Sequence, residues 1–208
     1  EKLSRDQLIM ARNEVDIMTL CCHPNIVNLY DVIEDDSAIY IIMEYLKGDD
    51  LFSYLDLKVK LTENYIKHLM YPVIEAVRYI HSFGIVHRDM KLDNIMIYIN
   101  KLSSSDEDSK MIVPKIRQKI ERESKKNMPN ITAYAFEEKD FLKASVKLTD
   151  FGISKVIGLD EYLTEPIGTL RFSAPEILNG KPYNRQVDVW ALGVCFFLLF
   201  CGEYPFED

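Results

Sequence analysis

The sequence is poor in the features that mark several protein classes. Cysteine occurs four times in 208 residues, and its spacing fits neither a metal-binding pattern nor a disulfide framework, so we expect reduced thiols in a reducing compartment. The longest apolar run, Val189 to Cys201, is shorter than the roughly 20 residues of a membrane-spanning helix. No signal peptide opens the chain. We therefore expect a cytoplasmic protein without a membrane span, with the nucleus as the alternative location.

Basic residues are also scarce compared with acidic ones. The chain has 25 Lys and Arg residues against 33 Asp and Glu residues, which gives a formal net charge of -8 at pH 7. Non-specific binding of nucleic acid needs a basic face, so this charge balance argues against a nucleic-acid partner. It leaves room for a basic partner. The apolar fraction of 48% is ordinary for a globular protein, and the length suits one large domain or two small ones.

Hydrophobic periodicity divides the chain into a short mixed part and a mostly helical part. We expect the first helix to end before Pro24, because the residue that precedes a proline disfavours the helical conformation. The run that begins at Asp188 is apolar on all sides and predicts a helix buried in the core. The predicted elements are a helix within 1–20, a hairpin of strands at 26–33 and 38–43, a short helix at 51–55, a helix from Thr62 to Ile80, strands at 95–99 and 146–148, a loop at 153–172, and a helix from Asp188 to Phe200.

Residues 100–143 interrupt this pattern. A polar tract at 103–109 has no apolar residue to bury, so we expect it to be disordered or a mobile loop. Residues 110–126 hold seven basic and two acidic residues, with isoleucines spaced by four. Two interpretations stay open: a basic amphipathic helix that binds an acidic partner, such as a calmodulin-like domain, or a membrane surface, and a solvated helix that packs on its own domain. The second is favoured.

Three motifs give the strongest functional signal, and they follow one another in a fixed order. They are His87-Arg88-Asp89 with Lys91 and Asn94, then Asp150-Phe151-Gly152, then Ala174-Pro175-Glu176. Together they resemble the signature set of protein kinases, over nearly the whole chain apart from 100–143. The runs 23–27, 43–45 and 167–169 are similar to the calcium/calmodulin-dependent kinase group, especially the calcium-dependent protein kinases.

The resemblance implies a two-lobed α+β fold. Residues 1–43 would form part of the small N-terminal lobe, and residues 44–208 an incomplete C-terminal lobe that carries the insertion at about 100–143. No Gly-x-Gly-x-x-Gly loop and no Val-Ala-x-Lys strand precede Glu14 in these residues, and no further helices follow Asp208. We read this as a kinase fold truncated at both ends, and we expect a polypeptide of only these residues to be nearly inactive.

The resemblance also implies a Ser/Thr protein kinase that transfers the γ-phosphate of ATP to protein hydroxyls. In such a site Asp89 orients and deprotonates the hydroxyl, Lys91 offsets the charge of the transferring phosphoryl group, and Thr169 bonds both. Asn94 and Asp150 are oxygen ligands suited to Mg²⁺. The alternative is a pseudokinase or a regulatory scaffold that keeps the fold without turnover. Retention of the four polar residues Asp89, Lys91, Asn94 and Asp150 argues against that alternative.

Further residues match nucleotide and substrate contacts of the family. Glu14 would pair with an ATP-binding lysine that is not among these residues. The expected adenine contacts are Met43 as gatekeeper, the backbone of Glu44 and Leu46, and Met96 beneath the ring. Asp50 would touch the ribose and, together with Asp93, present carboxylates to an arginine of the substrate. The resemblance therefore predicts protein substrates of the form Arg-x-x-Ser/Thr.

Glu165 stands where some relatives carry a phosphorylated threonine. Arg88 is expected to pair with this carboxylate and to hold the loop without phosphorylation. Thr164 and Tyr162 remain alternative phosphorylation sites, because a phosphate there would add charge that Arg88 can bind.

Overall fold

The computed structural model describes residues 5–34, 38–53, 61–99 and 144–206. The predicted insertion at 100–143, with its polar tract and basic helix, lies outside the described residues. Of the short helix predicted at 51–55, residues 51–53 are described, with 52 and 53 helical, whereas 54 and 55 lie outside the described residues. Among the residues that are described, none of the helices combines the length and apolarity needed to cross a membrane.

The described residues form four α-helices and seven β-strands, so the predicted mixture of helix and strand is confirmed. Single turns of 3-10 helix occur at Leu92–Asn94 and Leu170–Phe172. The elements are, in chain order, α1 (Arg5–Thr19), β1 (Leu29–Glu34), β2 (Ile39–Met43), β3 (Gly48–Asp50), α2 (Glu63–Ser82), β4 (Ile85–Val86), β5 (Ile95–Ile99), β6 (Ala144–Leu148), β7 (Lys155–Val156), α3 (Pro175–Leu178) and α4 (Gln186–Cys201).

The strands form three small antiparallel sheets. Strands β1 and β2 pair as the predicted hairpin, strands β3, β5 and β6 form a second sheet with β5 in the middle, and β4 pairs with β7. The sequence did not predict β3, β4 or β7. Each is only two or three residues long and is defined by its partner, so no local periodicity could reveal it.

Helix α2 forms the centre of the large hydrophobic core. Thr62 caps its first turn by accepting a hydrogen bond from the Tyr65 amide at 3.3 Å, as its place before an acidic first turn predicts. One face of the helix is buried, and it packs against α4 and β6. Gly202 ends α4 in the left-handed conformation, with φ of 77°, which glycine adopts without steric cost.

The expectation that the helix from Asp188 is buried on all sides holds for one face only. Cys195 is fully buried, whereas Val189 is 58% exposed and Phe200 is 44% exposed. Among the described residues, α4 packs against α2 and the turn at Leu170–Phe172. Uniform apolarity predicts burial but does not say which neighbour covers each face.

Candidate active site

Asp188 of α4 holds the loop at 87–94 in place. The Asp188 carboxylate is 1% exposed, and it accepts hydrogen bonds from the backbone amides of His87 at 2.9 Å and Arg88 at 3.0 Å. Nε2 of His81 lies 2.8 Å from the same carboxylate. Arg185 is the N-cap of α4, and Asp188 lies in the first turn of this helix. The Asp188 side chain therefore fixes the loop and does not cap its own helix. These bonds help to hold Arg88 at a φ of 68°, an unfavourable value for a residue other than glycine.

Three side chains that the sequence singled out meet at Asp89. Lys91 Nζ donates to Asp89 Oδ2 at 2.7 Å, and Thr169 Oγ1 donates to Asp89 Oδ1 at 2.7 Å. Asn94 Nδ2 donates to the backbone oxygen of Asp89 at 2.9 Å and to its Oδ2 at 3.2 Å. Lys91 Nζ also donates to Thr169 Oγ1 at 3.2 Å. The Asp89 carboxylate is therefore fixed by neighbours on both of its oxygens.

The charges at Asp89 and Lys91 support each other. Burial by itself would raise the pKa of Asp89, but hydrogen bonds from Lys91, Thr169 and Asn94 and the charge of Lys91 outweigh it, so the pKa lies below its ordinary value. Burial would likewise lower the pKa of Lys91, whereas the hydrogen bond to Asp89 and the surrounding carboxylates raise it overall. At neutral pH the pair is a carboxylate beside an ammonium ion.

Two side chains near this cluster, those of Asn94 and Asp150, offer oxygen atoms of the kind that bind magnesium. The amide nitrogen of Asn94 is used on Asp89, which leaves the side-chain oxygen of Asn94 for a cation. Asp150 is exposed and has a φ of 64°, and its charge is felt by Lys91 and Glu14. Mg²⁺ is commonly held by one or two protein oxygens, with phosphate oxygens and water as the other ligands. The residues present fit such an ion.

Helix α1 brings Glu14 against the segment that contains Asp150. Burial raises the pKa of Glu14, the negative charge of Asp150 raises it further, and a hydrogen bond from the backbone amide of Phe151 only partly offsets both. Phe151 is fully buried, and its ring meets the ring of His87 edge-on at 5.1 Å between centroids. Glu14 is half-buried and faces the site, so it is not a solvated helix carboxylate.

The residues expected to contact a nucleotide lie at the end of the hairpin, in the connection to β3, and on strands β3 and β5. Met43, at the end of β2, is 41% exposed. The Leu46 carbonyl accepts a hydrogen bond from the Gly48 amide at 3.0 Å. Asp50 pairs with Met96 across β3 and β5, so the structure brings these two together.

The carboxylates expected to meet the substrate differ in their surroundings. The Asp50 carboxylate accepts hydrogen bonds from the Ser53 amide at 2.8 Å and the Ser53 hydroxyl at 2.7 Å, so Asp50 caps the turn that begins there. Asp93 lies exposed in the turn at Leu92–Asn94.

Lys147 is a buried charge that the sequence did not reveal. Its Nζ lies 2.6 Å from Glu44 Oε2 and 3.2 Å from the Ile26 carbonyl oxygen, and its side chain is 6% exposed. The same Glu44 oxygen accepts hydrogen bonds from the Asn28 amide and side chain at 3.1 and 3.0 Å. Side chains alternate between the two faces of a strand, so Lys147 points away from the face on which Val146 lies. A charged residue on the face opposite a buried apolar residue usually points into solvent. The ion pair ties the strand before Asp150 to the connection after β2.

Replacement of Lys147 by Met should destabilise the protein by about 3 kcal/mol, because it leaves the Glu44 carboxylate largely buried and without its cation. The matched control is Lys67→Met, which breaks an ion pair with Glu63 whose two side chains are each 65% exposed. That pair is solvated and should contribute much less. The measurement is the free energy of unfolding in urea, and equal losses in the two variants would contradict the assignment of Lys147.

Two cationic side chains pair with the Glu165 carboxylate, and the sequence predicted one of them, Arg88. Arg88 Nη1 lies 2.9 Å from Glu165 Oε2, and Lys155 Nζ lies 3.0 Å from Oε1. The hydrogen bond from Lys155 and the charges of Lys155 and Arg88 lower the pKa of Glu165 despite some burial. The Tyr183 hydroxyl donates to the Glu165 backbone oxygen at 2.7 Å. The loop is therefore anchored to the Asp89 segment by an ion pair of unmodified side chains.

Comparison with known protein families agrees with this geometry. A family model described as a protein kinase domain matches residues 1–208. The calcium/calmodulin-dependent protein kinase type 1B of Homo sapiens is 35% identical over 208 residues, which cover 100% of this chain and 49% of that protein. The SNF1-related protein kinase catalytic subunit alpha KIN12 of Arabidopsis thaliana is 32% identical over 200 residues, which cover 96% of this chain and 32% of that protein.

A third relative shows the same pattern of coverage. The NUAK family SNF1-like kinase 1 of Homo sapiens is 30% identical over 209 residues, which cover 100% of this chain and 25% of that protein. The chain thus spans between a quarter and a half of the length of these three relatives.

Proposed function

The chain belongs to the protein kinase family, and from that premise we propose that it transfers the γ-phosphate of ATP to serine and threonine hydroxyls of proteins. The observation that carries the proposal is the cluster at Asp89, in which Lys91, Asn94 and Thr169 hold an ionised carboxylate by its two oxygens. Phosphoryl transfer asks a protein mainly for position and electrostatics, and a carboxylate fixed in this way supplies both.

In the proposed reaction the substrate hydroxyl oxygen bonds to the γ-phosphorus of ATP, while the bond from that phosphorus to the bridging oxygen breaks and ADP leaves. The hydroxyl proton passes to the Asp89 carboxylate. Lys91 is protonated next to Asp89, since its pKa is raised, and its charge offsets the negative charge of the phosphoryl group in transit. Thr169 keeps Asp89 oriented during the transfer.

Asn94 and Asp150 would hold Mg²⁺, which neutralises charge on the triphosphate when it is bound. Asn94 is suited to this task because its amide nitrogen is anchored on Asp89, so that the orientation of its side-chain oxygen is fixed. Glu14 faces Asp150 and would pair with the lysine that binds the ATP phosphates. Met43, Glu44, Leu46 and Met96 would contact the adenine, and Asp50 the ribose.

We further propose that substrates carry an arginine three residues before the phosphorylated residue, because Asp93 is exposed and Asp50 on β3 pairs with Met96, three residues after Asp93. A peptide library phosphorylated by the full-length protein should show this preference. Asp93→Asn should weaken it several-fold, because a charged pair is lost, whereas Asp16→Asn, an exposed carboxylate on α1, should leave it unchanged. Selection of proline or of acidic residues instead would contradict the proposal.

Glu165 is proposed to keep the loop in its working position without phosphorylation. Glu165→Gln should lower kcat about fivefold, since the charge that attracts Arg88 and Lys155 is removed. Glu161→Gln is the matched control, because Glu161 lies in the same loop and its exposed carboxylate accepts a hydrogen bond from the Gly158 amide. Steady-state kinetics should also show that Thr164→Ala retains most activity. Loss of activity in Thr164→Ala together with full activity in Glu165→Gln would sink the idea.

A calmodulin-like regulatory partner for residues 110–126 stays a prediction, because that segment lies outside the described residues. Full-length protein that binds ATP but transfers no phosphate to any peptide would favour the scaffold alternative over the kinase.

A further inference from the structure

Helix α1 makes a second contact with the segment after Asp150, one residue before Glu14. Asn13 Nδ2 donates to the Gly152 carbonyl oxygen at 3.2 Å and to the Ser154 carbonyl oxygen at 2.9 Å. A side-chain amide nitrogen carries two hydrogens, so Asn13 can satisfy both carbonyls at once. Neither bond was foreseen from the sequence, in which Asn13 is one polar residue on a helix.

Ser154 carries this contact on to the loop of Asp89. Its side chain is buried, with 1% of the residue exposed, and its hydroxyl donates to the His87 carbonyl oxygen at 3.2 Å. The Ser154 amide also donates to the Phe151 carbonyl oxygen at 3.0 Å, which closes a tight turn directly after Asp150. A continuous series of hydrogen bonds therefore runs from Asn13 through Ser154 to His87, two residues before Asp89.

Asn13 and Glu14 act on opposite polar groups of the same backbone. Glu14 accepts a hydrogen bond from the Phe151 amide, whereas Asn13 donates to carbonyls one and three residues further on. A change in the position of α1 would break donors and acceptors together. Because buried backbone groups are costly to leave unpaired, the turn is expected to follow the helix.

We propose that Asn13 is a positioning residue that couples α1 to both halves of the active site, to Asp150 through the turn and to Asp89 through Ser154 and His87. The inference rests on the proposed function and deepens it, since it names how the placement of α1 reaches the reacting groups. The hydrogen bonds that the Asn13 side chain donates in the described part of the chain go to backbone carbonyls and not to either aspartate, so it acts through the backbone that carries them.

The test uses the full-length protein and kcat with a peptide substrate. Asn13→Asp has the same shape but no donor, and it sets a carboxylate against two carbonyl oxygens, so kcat should fall on the order of tenfold. Asn13→Ala, which keeps good helix propensity, should also lower kcat and serves if the aspartate variant does not fold. Asp16→Asn, one turn further on the exposed side of α1, should match the wild type.

A double-mutant cycle with Ser154→Ala separates coupling from loss of helix stability. If the bonds act in series, the double variant should have a kcat close to that of the less active single variant, so the two losses of activity do not multiply. Multiplicative effects, or an Asn13→Ala variant with unchanged kcat in an active protein, would overturn the coupling and leave the kinase proposal intact. A wild-type protein without phosphotransfer would overturn both.

Discussion

Replacement of Asp89 by Asn should lower kcat for phosphotransfer by roughly 10²- to 10⁴-fold, which is the usual contribution of a side chain that accepts a proton in the transition state. Asparagine has the same shape, and its oxygen can still accept the hydrogen bond from Thr169 or Lys91, so the site should keep its form. What is lost is the negative charge and the capacity to take the hydroxyl proton. The KM for ATP should change little, because Asp89 meets the hydroxyl and not the nucleotide.

Steady-state kinetics of the full-length variant, with its thermal midpoint as a check on folding, would measure this effect. Asp160→Asn is a suitable control, since Asp160 is an exposed carboxylate in the loop after β7. An Asp89→Asn variant with kcat within threefold of the wild type would contradict the proton-accepting role. A comparable loss in the control would show that the effect is not specific to the site.

Replacement of Asp150 by Asn should raise the Mg²⁺ concentration needed for half-maximal activity at least tenfold, and it should lower kcat as well. A neutral amide is a weaker ligand for a hard cation than a carboxylate, and loss of even an outer contact commonly costs ten- to a hundredfold in metal affinity. Removal of the Asp150 charge should also lower the pKa of Glu14, because that charge is one of the two causes that raise it.

Titration of activity with Mg²⁺ at saturating ATP distinguishes this loss from a general defect. Asp31→Asn, at an exposed position on β1, should keep the wild-type Mg²⁺ dependence. An Asp150→Asn variant with the same Mg²⁺ dependence as the wild type would remove Asp150 from the metal site.

The sequence predicted the elements that have a period of their own and missed those that depend on a partner. The first helix, the hairpin and the helix from Thr62 were found within a few residues of their bounds. Strands β3, β4 and β7 were not, since they are defined by pairing. Lys147 was missed for a related reason: its charge suggested solvent, whereas the carboxylate that allows its burial comes from Glu44, 103 residues away.

The sequence predicted the residue types of the site, but it did not predict the hydrogen bonds that join the site to distant segments of the chain. The motifs gave the residue types and their order, and the family comparison confirms the resemblance, with a calcium/calmodulin-dependent kinase among the relatives. The sequence could not give the bonds of Asp188 to the loop amides, or those of Asn13 to Gly152 and Ser154. These contacts join segments far apart in the chain, and common polar residues such as asparagine give no signal of them.

The most direct test of the central proposal is transfer of labelled γ-phosphate from ATP to a peptide that contains arginine three residues before serine. Purified full-length protein should label the serine in a reaction that needs Mg²⁺, and the Asp89→Asn protein, folded to the same thermal midpoint, should label it at least a hundred times more slowly. Labelling at equal rates by the two proteins, or no labelling by a folded wild-type protein that binds ATP, would contradict the proposal.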